Sequence, residues 1–142
     1  MKLVPPHQLW LGNAGSCSDP RRLHAAGIAA VVELALEEPP AKLSREMLHL
    51  RFPLVDGGGN PTWLLRAAIN AVAGLIADGQ PTLVFCSMGM SRSPAITAAA
   101  ISRATGQPLS AALRQVATAT PTDISPALWA QIQDALTTKV PS

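Results

Sequence analysis

The chain has 142 residues, of which 48% are hydrophobic and 14% charged, with a net charge of +2. That composition excludes a disordered chain and is enough for one packed domain, 1–142, without disulfides or metals; a charge so small and dispersed argues against a nucleic-acid or membrane-surface partner. Two cysteines, Cys17 and Cys86, make no framework, no run is apolar enough to span a membrane, and Pro5, Pro6, His7 and Gln8 interrupt any signal-peptide core, so a soluble protein of the reducing cytoplasm is expected.

In chain order, Gln8 to Gly12 predicts a short strand, and Asp19-Pro20 supplies an N-cap and a first-turn proline for a helix that Gly27 stops. Ile28 to Ala35 reads as a buried strand, and Glu37 to Ser44, with Pro39-Pro40, as a surface connection. From Leu48 to Val55, Leu48, Leu50, Phe52 and Leu54 alternate with His49, Arg51 and Pro53, which predicts a strand that Pro53 places near an edge or an end. Gly57 to Gly59 predict a mobile loop after Asp56, and Asn60-Pro61 is expected to cap a helix that runs to about Asp78 and stops at Gly79. The run Pro81 to Phe85 predicts another buried strand, and an Ala-rich helix follows from Ser93 to about Thr105, ended by Gly106. Pro108 opens a helix with Leu109, Leu113 and Val116 on one stripe; Ser125-Pro126 opens a last one with Leu128, Trp129, Ile132 and Leu136 facing the core, before a frayed tail at 138–142. Strands alternating with helices give an α/β class with a mostly parallel sheet of four to five strands.

The loop between the 81–85 strand and the Ala-rich helix carries the chemistry. A helix start favours an anion, so it favours the thiolate form of Cys86, a nucleophile. Five residues separate Cys86 from Arg92. That is enough for a turn in which the backbone N–H groups of Ser87, Met88, Gly89, Met90, Ser91 and Arg92 converge on one tetrahedral anion, closed by the Arg92 guanidinium. Gly89 permits the close approach or positive φ that such a cradle needs, and Ser93 is placed to donate its hydroxyl to the sulfur.

Cys86, Gly89, Arg92 and Ser93 match the signature of the cysteine-dependent protein phosphatases, His-Cys-x-x-Gly-x-x-Arg-Ser/Thr, and the Ser91-Arg92-Ser93-Pro94 ending is similar to the dual-specificity branch. Leu9-Trp10-Leu11-Gly12 followed by Ala26-Gly27-Ile28 resembles the opening of that branch as well. The resemblance implies the compact dual-specificity fold over nearly the whole chain and hydrolysis of phosphorylated proteins or small phosphomonoesters, with no cofactor. It also implies a general acid: Asp56 follows Pro53-Leu54-Val55 and precedes Cys86 by the usual spacing, with Glu33, Glu37, Glu38 and the more distant Asp123 as alternatives. Phe85 departs from the family's histidine, which implies a weaker hold on the thiolate and a slower enzyme.

Two other classes remain open: a rhodanese-like or Cdc-twenty-five-like enzyme, which needs no upstream aspartate, and a non-catalytic phosphate-binding module, which Phe85 motivates. His7, His24 and His49 lack paired ligand spacing and predict surface or packing roles rather than a metal site. Trp10, Trp63 and Trp129 are expected in the core, Arg21-Arg22 on a solvated helix face, and Cys17 as a distant partner for an oxidised Cys86.

Overall fold

The computed structural model describes residues 1–137; the predicted tail at 138–142 lies outside them. Strands β1 (Lys2–Leu3), β2 (Leu9–Gly12), β3 (Ala30–Ala35), β4 (Leu48–Leu54) and β5 (Thr82–Phe85) form one sheet in the order β1-β2-β5-β3-β4. Only β1 runs antiparallel, against β2; β2, β5, β3 and β4 are parallel. The carboxyl ends of the four parallel strands therefore share one edge. In an open α/β sheet that edge is where ligands bind.

One face of the sheet carries α1 (Pro20–Ala25), which begins as the sequence predicts: the Asp19 side chain accepts from the Arg21 N–H and Pro20 occupies the first turn. Leu23, Ile28, Val31, Leu83 and Phe85 pack together on this face. The other face is covered by α2 (Thr62–Ala77), α3 (Arg92–Thr105), α4 (Leu109–Ala119) and α5 (Pro126–Thr137). Within the larger cluster there, α3 is buried without interruption from Arg92 to Ile101. Its small residues Ala95, Ala98, Ala99 and Ala100 let the sheet on one side and α2 and α4 on the other approach closely. Gly106 ends it at φ 78°, a left-handed cap that glycine accepts without a Cβ penalty.

Four details differ from expectation. Asn60 does not cap α2, whose first turn follows Pro61 with no side-chain cap; its amide instead ties the preceding loop together, accepting from Val55 N–H and donating to the carbonyls of Val55 and Gly57. Trp63 is 69% exposed rather than in the core, while Trp10 and Trp129 are packed against it. The two-residue β1 is too short for an alternation signal. So is the 3-10 turn Ala14–Cys17, which is held by a capping box between Asn13 and Ser16.

Candidate active site

From the end of β5 the chain leaves at Cys86, curls through Ser87 to Ser91 and enters α3 at Arg92. Outside groups fix this loop. Ala14 N–H donates to the Ser87 carbonyl at 3.1 Å and Asp123 N–H to the Met90 carbonyl at 2.7 Å. Gly89 adopts φ 76°, and a Cβ there would lie 2.7 Å from the Gly12 carbonyl oxygen at the end of β2. Both the backbone conformation and the space demand glycine. Gly89→Ala is accordingly expected to lower kcat/KM for an aryl phosphate by about 100-fold, because the loop must shift; a variant within threefold of wild type would show that the cradle tolerates the displacement.

Above Cys86 lies a hollow of about 250 Å³ lined by Asp56, Cys86, Met88, Met90, Ser91, Arg92 and Asp123. Cys86 is 2% exposed. Its Sγ lies 3.3 Å from Ser93 Oγ and accepts the Ser93 N–H at 3.5 Å. Arg92, 4% exposed, reaches back under the loop: Nη1 donates to Glu37 Oε1 at 2.5 Å and to the Leu54 carbonyl at 2.9 Å, and Nη2 to Glu37 Oε2 at 2.6 Å and Ser87 Oγ at 3.3 Å. Among the described residues its Nε is buried without a partner. Asp56 Oδ1 accepts the Ser91 hydroxyl at 2.5 Å, and Ser91 Oγ in turn accepts the Ser125 N–H at 3.0 Å. The four candidate catalytic residues, Cys86, Arg92, Asp56 and Ser93, are thus within one constellation, drawn from β5, α3 and the loop after β4.

Residues 9–136 match the family described as dual specificity phosphatase, catalytic domain. The chain belongs to this family. Mouse dual specificity phosphatase 28 is 30% identical over 127 residues, spanning 88% of this chain and 77% of that protein. The crystal structure of human dual specificity phosphatase 28 superposes with a TM-score of 0.84 at 27% identity over 96% of this chain and 95% of that one. A mouse putative dual specificity phosphatase complexed with zinc tungstate gives 0.83 at 29% identity over 94% and 84%. The protein is therefore a cysteine-dependent phosphatase, and these likenesses do not favour the rhodanese-like or binding-module readings.

Within this phosphatase the alternative acids separate cleanly. Glu33 is 1% exposed, on the far face of the sheet, where its carboxylate meets His49 and Arg51 and accepts the Ala41 N–H at 3.1 Å. Glu38 lines a different hollow with Ala14, Cys17 and Phe85. Glu37 does stand in the site, but the Arg92 guanidinium, helped by the Ser87 hydroxyl, holds its carboxyl down to about 2. It is ionised at any working pH and cannot donate a proton. Asp123, the most distant in sequence, lines the catalytic hollow beside Asp56.

Phe85, 3% exposed, points away from Cys86 into the α1-side cluster, opposite Glu33 in the β3–β5 register. Cys17 belongs to that same cluster and Cys86 to the opposite one, so the sheet lies between the two thiols. Burial and the nearby Glu33 charge push the Cys17 thiol up to about 11, leaving it protonated. Arg21 and Arg22 are solvent-exposed on α1, as expected.

Proposed function

We propose that this phosphatase hydrolyses phosphomonoesters of proteins, or small phosphomonoesters, through a phosphocysteine intermediate on Cys86. The observation that carries the reading is the state of Arg92. Of the guanidinium's five N–H groups four are engaged, and the fifth, on Nε, is buried and unpartnered in a side chain that lines the same hollow as Cys86 and Asp56. A buried donor left unpaired costs about 1–3 kcal/mol, and a phosphate oxygen would satisfy it. A second phosphate oxygen takes the Nη2 hydrogen that now goes to Ser87 Oγ, giving a bidentate clamp.

In the proposed sequence the Cys86 thiolate attacks phosphorus, and the bond to the leaving oxygen breaks as that oxygen takes a proton from Asp56. With the Ser91 hydroxyl donating to Asp56 Oδ1 and accepting the Ser125 N–H, Oδ2 is left to carry the proton in the acid form of Asp56. Water then attacks the phosphocysteine, giving a proton to the Asp56 carboxylate; the P–S bond breaks, and the Ser93 hydroxyl and N–H stabilise the returning thiolate. The backbone N–H groups of Ser87 to Arg92 hold the equatorial oxygens. A cytoplasmic location suits a mechanism that needs a reduced thiol; among the described residues no helix is long and apolar enough to cross a membrane.

The test is hydrolysis of a small aryl phosphate by the reduced protein with a chelator present, and its inhibition by vanadate. Turnover that is insensitive to chelator and blocked by vanadate is expected. A protein that binds vanadate and turns over nothing would be a phosphate-binding module.

A further inference from the structure

The surface connection after β3 holds a carboxylate that enters the site from outside. Glu37 grips the outer edge of Arg92, one oxygen to each terminal nitrogen at 2.5 and 2.6 Å, and its Oε2 also accepts the Ser87 hydroxyl at 3.0 Å. Glu37 thus takes the Nη1–Nη2 edge of the guanidinium and leaves the Nε–Nη2 edge to other partners.

Its own backbone is fixed from two sides. Leu36 N–H donates to the Leu54 carbonyl at 3.1 Å, the same oxygen that accepts Arg92 Nη1. Arg51 Nη2 donates to the carbonyls of Leu36 and Glu38 at 3.2 and 3.4 Å. A half-exposed side chain is thus carried on an anchored turn. The guanidinium is planar, so fixing the Nη1–Nη2 edge also fixes where the Nε–Nη2 edge points.

We propose that Glu37 is the positioning residue for the phosphate-binding guanidinium: it locks the Arg92 plane so that Nε and the second Nη2 hydrogen face the transferring phosphoryl group. This rests on the phosphatase reading given above. Without Glu37 only the Leu54 carbonyl and Ser87 Oγ would hold the terminal nitrogens, and the guanidinium would turn about its last side-chain bonds. A clamp that acts mainly on the transition state would then weaken.

A double-mutant cycle tests this. Glu37→Ala, the isosteric Glu37→Gln and Arg92→Lys are made singly, and each Glu37 change is repeated in the Arg92→Lys background, with kcat, KM and vanadate affinity measured for each. Glu37→Ala is expected to lower kcat/KM by about 10- to 100-fold, mostly in kcat, and Glu37→Gln by less, since its amide oxygen still accepts one N–H. In the Arg92→Lys background, which has no planar edge to orient, Glu37→Ala should cost threefold or less. Equal losses in the two backgrounds, no loss in either, or a rise in vanadate affinity would overturn the proposal, the last because Glu37 would then be competing with phosphate. If Arg92→Lys itself leaves activity unchanged, it is the phosphatase reading of the site that fails.

Discussion

Cys86→Ser is expected to lower kcat for an aryl phosphate by about 10⁴-fold or more, with vanadate or phosphate binding retained. The size follows from nucleophilicity. The hydrogen bonds of Cys86 Sγ among the described residues go to Ser93 and to no carboxylate or imidazole, so a serine hydroxyl there would not be activated, whereas a thiol ionises far more readily and attacks phosphorus as the anion. The substitution leaves the binding machinery alone, because the guanidinium of Arg92 is held by Glu37, Leu54 and Ser87 and not by the sulfur. The hydroxyl is also smaller than the thiol it replaces, and Ser93 Oγ, 3.3 Å from the sulfur, remains as a hydrogen-bond partner. The melting temperature should therefore stay within a few degrees of wild type. Residual activity above about 1% that survives repurification would mean that another group attacks phosphorus.

Asp56→Asn should produce the second-largest effect, a fall in kcat of about 10²- to 10³-fold on a substrate with a poor leaving group such as phosphotyrosine. The sign of the pH effect is set by the role. A general acid works only while protonated, so the wild-type rate falls on the alkaline side as the carboxyl loses its proton, and the asparagine variant lacks that fall. On an activated aryl phosphate the first step needs little proton assistance, and the loss should be smaller. Asp123→Asn is the control, because Asp123 lines the same hollow; it should keep the alkaline limb. If Asp123→Asn removes the limb and Asp56→Asn does not, the two carboxylates exchange roles.

The parts of the site legible in the sequence are those that lie on one short segment or at a strand end. Cys86, Gly89, Arg92 and Ser93 sit within eight consecutive residues between a β-branched strand and an Ala-rich helix, so local chemistry and spacing carry the whole cradle. Asp56 stood out only through the resemblance, by Pro53-Leu54-Val55 before it and its spacing to Cys86; the alternating strand and the glycines that follow it mark a loop but not an acid. Glu37 entered as a surface residue and as a spare acid. Its position just beyond the end of β3 was a usable signal, since β3 is the neighbour of β5 and parallel strands end on one edge. What the sequence could not show was that the guanidinium would turn toward it. Asp123 was harder still. It reaches the hollow only because its N–H bonds the Met90 carbonyl across a loop between α4 and α5, a contact with no periodic trace. Asn60 misled for a related reason: Asn-Pro before a helix has the form of a cap, yet the amide found three better partners in the 55–57 backbone and Gln131. Trp63 misled because an indole at the first turn of an amphipathic helix is as compatible with the solvent side as with the core.

The covalent intermediate is the centre of the account, and trapping it is the most direct test. Asp56→Asn, mixed with an activated aryl phosphate and quenched in acid within milliseconds to seconds, forms the phosphocysteine quickly but lacks the base that hydrolyses it. Mass spectrometry of the digested protein should find one phosphoryl group on the Cys86 peptide, with a burst of released phenol equal to the enzyme concentration. Steady turnover with no phosphoryl group on Cys86 and no burst would contradict the account, because phosphate would then be passing directly to water.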